Sequence, residues 1–220
     1  MAGRPRIEED APVSARNVSF DVERPARFSR GAVPMRALIL FLFFIPGSIN
    51  WVASLFYLPV TSAVLVHQKG GDRFLAEDSE RLSVLVGWIV GIYSYFAFLT
   101  DSFTLDARES IGIHFAVEPS GSPTTRSALL RIVKSLPNVI VFGVFGLAAL
   151  GVWLVAGLSI LITGNYPRPL YAYQRAINRW QARLFSYHTS LVDNYPPFAL
   201  SLGREAPETT APAAPLESAR

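Results

Sequence analysis

The sequence contains no cysteine among its 220 residues. Disulfide bonds and thiolate metal sites are therefore excluded. Histidine is scarce as well, and none of the three histidines has a second one at the spacing of a helical metal pair. They are His67, His114 and His188. We predict that the protein holds no metal and no other cofactor.

The motifs of the common enzyme classes are also missing. The sequence has no G-x-S-x-G elbow, no glycine-rich phosphate loop and no H-E-x-x-H pair. We therefore expect a protein without enzymatic activity. The net charge of +3 is small and the Lys and Arg residues are spread along the chain. This pattern argues against a nucleic-acid partner and fits a basic face toward anionic lipid.

Charged residues are absent from three long stretches of the chain, 37–66, 82–100 and 135–167. A helix of about 20 apolar residues crosses the roughly 30 Å hydrocarbon layer of a bilayer, so each stretch is a candidate span. About 35 residues precede the first stretch in place of a short basic segment, so we expect no cleavable signal peptide. The sequence predicts an all-α multi-pass protein of the cell (plasma) membrane.

Comparison of the chain with itself indicates an internal repeat with a period of about 95 residues. The segments VSFDVE at 18–23 and IHFAVE at 113–118 both alternate apolar and polar residues, as half-buried strands do. Five further identities are 92 positions apart. They pair Trp88, Ser94, Tyr95, Leu99 and Asp101 with Trp180, Ser186, Tyr187, Leu191 and Asp193. We predict two copies of one unit, each a short strand followed by two membrane helices.

The two units are placed at 17–104 and 105–202, between tails at 1–16 and 203–220 that read as disordered. If both helices of a unit cross the membrane, the two strands emerge on the same side. We expect them to form a small two-stranded ribbon on the cytoplasmic side, where the N-terminus is also predicted to lie.

The apolar stretches place the four helices at about 37–66, 82–100, 138–162 and 171–192. The first is longer than a bilayer requires, so it either crosses as one kinked span or forms a re-entrant hairpin broken at Pro46-Gly47.

The fourth helix carries a stripe of three arginines, Arg175, Arg179 and Arg183, spaced four residues apart. Taken alone, this pattern is typical of an amphipathic helix lying in the interface. In the predicted repeat the fourth helix corresponds to the second, which favours a transmembrane span. The distribution of Lys and Arg on the two sides of the membrane favours it as well. A four-span topology puts 13 Lys or Arg inside and 4 outside, against 11 and 9 for an interfacial helix. The stripe either binds lipid phosphate or an acidic partner helix, or snorkels to headgroups beside Trp180 and Tyr187.

Small residues line one face of the second helix at Ser83, Gly87 and Gly91. Such a face lets two backbones approach closely, so we predict helix packing there, either with a partner subunit or within the chain's own bundle. Asp101 and Asp193 close the two units, and each is expected to cap a turn or pair with an arginine.

The stretch GNYPRPLYAYQRAINRWQARLFSYHTSLVDNYPPFAL, at 164–200, opens with Tyr-Pro-Arg-Pro and closes with Asp-Asn-Tyr-Pro-Pro-Phe. With Arg179-Trp180, Arg183 and Tyr187 between these ends, it resembles the bacterial membrane family named domain of unknown function 4389. The first unit looks like a diverged copy, with 71–73 and 100–103 in place of the two proline-rich ends. The resemblance implies a multi-pass membrane protein and supplies no activity.

Small size, missing chemistry and short extramembrane parts favour a non-enzymatic accessory or scaffold subunit of a larger membrane assembly. The alternative is a protein that binds or helps to transport lipid through Arg175, Arg179 and Arg183. The expected partners are the lipid bilayer, anionic lipid and other membrane subunits, with no nucleic acid.

Overall fold

The structure is a computed structural model that describes residues 17–102 and 112–196. Four helices and two strands follow one another in the order strand, helix, helix, strand, helix, helix. They are β1 (Val18–Val22), α1 (Ala32–Lys69), α2 (Gly71–Phe96), β2 (Ile113–Val117), α3 (Thr125–Thr163) and α4 (Arg168–His188). The strands pair antiparallel with Phe20 opposite Phe115. The predictions of a mostly helical chain and of a two-stranded ribbon are confirmed.

Helix α2 begins at Gly71, eleven residues before the predicted start at Leu82. The charged segment that sequence reasoning treated as a loop is helical, because its charges pair on the helix surface. Arg73 binds Glu77 one turn later at 2.6 Å, and Lys69 binds Asp78 at 2.7 Å. Only Gly70, with φ of 82°, separates α1 from α2, and glycine adopts such an angle without a steric penalty.

Helix α1 is continuous from Ala32 to Lys69. It passes through Pro46-Gly47, so the alternative of a re-entrant hairpin broken there is wrong.

Helix α3 begins at Thr125, well before the predicted start near Asn138. A capping box fixes this start, because the Thr124 hydroxyl accepts from the Ser127 N–H at 3.1 Å while Ser127 accepts from the Thr124 N–H at 2.9 Å. Pro137 lies inside the helix and does not end it. Helix α4 starts three residues before its predicted start and ends at His188 rather than at residue 192.

The elements form three layers. The ribbon contacts α2 and α4, and these two helices contact α1 and α3 on their other side. Helices α1 and α3 run antiparallel, because the start of α1 meets the end of α3, where the Phe28 N–H donates to the Gly164 carbonyl at 3.0 Å. At the opposite end, the Pro123 carbonyl, just before α3, lies against Gly71, just after α1.

Aromatic rings fill the core between the layers. Phe98 stacks on Trp153 with ring centres 5.2 Å apart, and Tyr166 meets Tyr171 edge to face at 5.3 Å. These contacts join the end of α2 to α3 and the end of α3 to α4. They therefore fix the helix ends around one shared core.

Large apolar side chains are exposed along α1 and α3. Within the described residues, Ile140–Thr163 of α3 is long and apolar enough to cross a membrane. This segment indicates association with a membrane. The multi-pass topology and the cytoplasmic side of the ribbon stay predictions.

Candidate functional site

Arg36, near the start of α1, is 1% exposed, and its side chain hydrogen-bonds to the turn that follows α2. Its Nη1 donates to the carbonyls of Tyr95 (3.1 Å) and Thr100 (3.0 Å), and its Nη2 donates to Asp101 Oδ1 (2.9 Å). The guanidinium also lies 3.9 Å from the centre of the Tyr95 ring. The other Asp101 oxygen accepts from the Ser29 N–H at 2.7 Å. We call this set the first clasp.

Arg131, near the start of α3, makes the same set of contacts with the turn that ends α4. Its Nη1 donates to the carbonyls of Tyr187 (2.5 Å) and Val192 (2.6 Å), its Nη2 binds Asp193 Oδ1, and the Tyr187 ring centre is 4.5 Å away. Asp193 Oδ2 accepts from the Ser122 N–H at 2.9 Å. Burial lowers the pKa of Arg131, and the Asp193 carboxylate opposes that shift. We call this set the second clasp.

The two clasps correspond position by position. Arg36 and Arg131 are 95 residues apart, and Asp101 and Asp193 are 92 apart. Each clasp ties the start of a long helix to the turn after its neighbour. Sequence reasoning singled out both aspartates but missed both arginines. The available signal was an arginine just before each apolar stretch, at the spacing of the repeat.

The predicted arginine stripe of α4 faces the ribbon. Arg175 Nη1 lies 3.2 Å from Asp21 Oδ1, and Arg179 Nη2 lies 3.4 Å from the same oxygen. Arg179 Nε also donates to the Phe20 carbonyl at 3.0 Å. Arg183 is 8% exposed, and its Nε has no hydrogen-bond partner within the described ranges. Contact of these arginines with lipid or a partner protein stays a prediction.

The two aromatic residues predicted beside the stripe are both buried. Trp180 packs between Phe142 and Phe145 of α3, with ring centres 5.6 and 6.2 Å away. Tyr187 lies beneath the guanidinium of Arg131 in the second clasp.

The small-residue face of α2 lies against strand β2. A Cβ atom added to Gly87 comes within 3.0 Å of Cδ1 of Phe115, and one added to Gly91 comes within 3.9 Å of Cδ1 of Ile113. Ser83, one turn earlier, is half-buried. Glycine at these positions therefore lets the ribbon approach the helix backbone.

Replacement of Gly87 by leucine is expected to push the Phe115 ring away and to lower the free energy of unfolding by about 1–3 kcal/mol. Thermal unfolding in mild detergent measures the effect. Gly151→Leu is the matched control, because Gly151 is an exposed glycine of α3 whose added Cβ meets nothing within 4 Å. Equal stability of the two variants contradicts the expected close approach.

A cavity of about 1200 Å³ lies between α1 and α3, and α4 forms its floor. Phe41 of α1 and Leu147 of α3 stand at its rim and are 80% and 74% exposed. The remaining wall is also largely apolar, with Trp153 and Ile177 among its residues. The cavity therefore opens on the same face as the exposed apolar side chains of α1 and α3.

Three amide side chains on one face of α4 line the floor of this cavity, Gln174, Asn178 and Gln181. Asn178 donates to the Ser94 hydroxyl at 3.2 Å. The Oε1 atoms of Gln174 and Gln181 are buried and have no hydrogen-bond partner in the part of the chain that the structure describes. An unsatisfied buried acceptor costs about 1–3 kcal/mol, so two of them on one face of α4, two helical turns apart, point to a ligand that donates hydrogen bonds.

His188 and Ser135 form a buried pair, with the serine Oγ 2.5 Å from the histidine Nε2. The side chains are 0% and 1% exposed, and a substrate has no access to them in this arrangement. Within residues 17–102 and 112–196, no three His, Asp or Glu side chains converge to hold a metal ion. The cavity is therefore the best candidate for a functional site.

Residues 125–199 match the model of a family described as a domain of unknown function, DUF4389. This match covers α3, α4 and the second clasp, and it supports the resemblance that the sequence of the second unit suggested. No curated protein and no solved structure matches the chain.

Proposed function

We propose that the protein is a non-enzymatic membrane protein that binds one uncharged lipid between α1 and α3. The similarity of residues 125–199 to a domain of unknown function names no activity that would conflict with this proposal. The observation that carries the proposal is a largely apolar cavity whose floor holds the amide side chains of Gln174, Asn178 and Gln181. Among the described residues, the Oε1 atoms of Gln174 and Gln181 have no hydrogen-bond partner.

The chemistry of the cavity selects the class of lipid. Its apolar rim suits an acyl chain that extends into the membrane, whereas its floor suits a polar end. None of the described residues that line it is charged, so an anionic headgroup finds no counter-ion there. The amide oxygens need a donor, and the polar end therefore carries hydroxyl or amide N–H groups. A monoacylglycerol, which has one acyl chain and two hydroxyl donors, meets each of these requirements.

Replacement of both Gln174 and Gln181 by leucine is expected to weaken retention of the lipid. Each lost hydrogen bond contributes about 1 kcal/mol, so the two together reduce affinity by roughly 30-fold. Native mass spectrometry of protein purified in mild detergent and supplied with a monoacylglycerol measures the bound fraction. Gln68→Leu is the matched control, because Gln68 is exposed and lies outside the cavity.

A second variant tests the cavity without changing its polarity. A Cβ added to Gly146 on the cavity wall meets nothing within 4 Å, so Gly146→Phe fills the space while leaving the helices packed. This variant is expected to retain no lipid. Unchanged retention in Gly146→Phe, or retention of anionic phospholipid in preference to the monoacylglycerol, contradicts the proposed function.

The repeat predicted from the sequence is part of the proposal. We infer that the two units are tandem copies related by an approximate two-fold axis through Phe20 and Phe115. Three observations support this: the matched clasps, the ribbon register centred on these two residues, and the left-handed residues Phe98 and Ser190, 92 positions apart. A single ligand site between α1 and α3 then lies between the copies rather than within one of them.

A second candidate function is the accessory subunit of a larger membrane assembly. The exposed apolar face of α1 and α3 favours it, because a partner helix packs on such a surface as readily as lipid does. Purification from native membrane in gentle detergent tests this candidate. A stoichiometric partner protein supports it, and isolation of this chain alone contradicts it.

A further inference from the structure

The ribbon runs alongside α4 and is centred on the middle of that helix. Tyr171, in the first turn of α4, donates from its hydroxyl to the Val22 carbonyl at 3.3 Å, and Tyr187, in the last turn, packs against Val18. Arg179, between them, donates to the Phe20 carbonyl. The ribbon is therefore roughly parallel to the helix and does not stand at one of its ends.

The outer face of the ribbon requires water. Ser19 and His114 are exposed, and the ion pair between His114 and Glu23 joins side chains that are 65% and 72% exposed. In the described part of the chain each strand has one neighbour. The Phe20 and Val22 carbonyls on the outer edge of β1 accept from α4, whereas the outer edge of β2 keeps a row of backbone N–H and C=O groups without a strand partner. Every such group costs several kcal/mol in hydrocarbon.

On the opposite face of the molecule, α1 and α3 expose large apolar side chains. On α3 the exposed large apolar residues extend from Leu129 to Ile162, which is about 50 Å of helix against a hydrocarbon layer of about 30 Å. They include Val133, Leu136, Ile140, Val144, Leu147, Leu154 and Leu158. On α1 the corresponding residues begin at Met35 and end at Val64.

Helix α4 separates these two faces. Arg175 and Arg179 project from α4 to the ribbon, whereas Gln174 and Gln181 project to the cavity between α1 and α3. If α4 stood along the membrane normal, the polar ribbon would lie at mid-depth in the hydrocarbon. We propose instead that the normal runs from the ribbon through α4 to α1 and α3. Both long helices then lie along the plane of one leaflet, and every loop faces water on one side of the membrane.

The exposed basic residues fit this orientation. Arg27 and Arg30 lie where α1 begins, and Arg126 and Lys134 lie near the start of α3. Because α1 and α3 are antiparallel, the two pairs are at opposite ends of the molecule. In one leaflet both ends meet anionic headgroups at the same level, where each Lys or Arg contributes about 1 kcal/mol to binding.

Labelling of single cysteines tests the orientation in the full chain, which has no cysteine of its own. The four positions are exposed: Ala26→Cys, Gln68→Cys, Glu118→Cys and Asn165→Cys. A membrane-impermeant maleimide is applied to vesicles of each sidedness. The in-plane orientation predicts that all four variants label from the same side. A four-span chain labels at positions 68 and 165 from the side opposite to positions 26 and 118.

Depth within the bilayer gives a second readout that does not depend on sidedness. Bimane is attached to a single cysteine in Val133→Cys, Leu147→Cys or Leu161→Cys. Quenching of its fluorescence by lipids brominated at known acyl-chain carbons measures its depth in the bilayer. We expect the same depth for all three positions, because they share one stripe of α3. A gradient with its deepest point at position 147, or opposite sidedness of positions 68 and 118, overturns the proposal. These measurements leave the lipid of the cavity untouched, so the failure of one proposal does not decide the other.

Discussion

Replacement of Arg36 by methionine is expected to lower the free energy of unfolding by about 3 kcal/mol. The arginine is almost wholly buried, and its guanidinium satisfies the carbonyls of Tyr95 and Thr100 as well as the Asp101 carboxylate. Methionine fills most of the volume but donates no hydrogen bond. Two carbonyls at the end of α2 are then left without these donors, and α1 loses its tie to that turn.

Arg131→Met is expected to destabilise the protein by a similar amount, because the second clasp has the same partners at the end of α4. Thermal unfolding in mild detergent, followed by circular dichroism, measures both variants. Arg73→Met is the matched control. Arg73 is 70% exposed and pairs with Glu77 on the same helix, so its loss is expected to change the stability little.

The clasps also predict how aspartate substitutions behave. Asp101→Asn and Asp193→Asn each leave a buried guanidinium without its carboxylate. The hydrogen bonds from the guanidinium to the carbonyls remain, so each aspartate variant is expected to lose less stability than the corresponding arginine variant. If Arg36→Met and Arg73→Met unfold at the same temperature, the first clasp does not hold the helices as we describe.

Asp21→Asn is the second change for which a large effect is expected, about 2–3 kcal/mol of stability. The carboxylate of Asp21 faces both Arg175 and Arg179, which are 4% and 14% exposed. These two cations are one helical turn apart and repel each other once the shared carboxylate is gone. The ribbon is then expected to separate from α4.

Glu23→Gln is the control for Asp21→Asn, since the Glu23 pair with His114 is exposed and contributes at most about 1 kcal/mol. Hydrogen exchange of the β1 amides distinguishes loss of the ribbon from general unfolding. Faster exchange confined to the ribbon is expected for Asp21→Asn. A double-mutant cycle of Asp21→Asn with Arg175→Gln measures the interaction energy between these two side chains apart from their other contacts. A coupling energy near zero contradicts a stabilising ion pair between Asp21 and Arg175.

Much of the fold is readable from the sequence because its signals are local. The alternation around Phe20 and Phe115 predicts two strands. Three charge-free stretches predict three helices, and the amphipathic pattern of 171–192 predicts the fourth. The boundaries are less readable. The charged start of α2 looked like a loop because the pairs that stabilise its helix, such as Arg73 with Glu77, appear only when the helix is assumed.

The candidate site is not readable in the same way. Gln174 and Gln181 belong to no motif that a sequence reveals. They line the floor of a cavity only because α1 and α3 cross over the face of α4 that carries them. The arginine stripe was the most conspicuous polar feature of α4. Tertiary packing turns it toward Asp21 of a strand more than 150 residues earlier, a contact that no local pattern encodes.

The repeat of about 95 residues stays a prediction from the sequence. The sequence by itself determined that the chain is mostly helical, that it has long charge-free stretches and that it lacks cysteine. These properties depend on residue type and spacing alone. The tertiary structure decided which face of each helix is covered. It places the ribbon beside the middle of α4 rather than at one end, because two buried arginines need the carboxylate of Asp21 there. From that placement follows the orientation in the membrane that we propose.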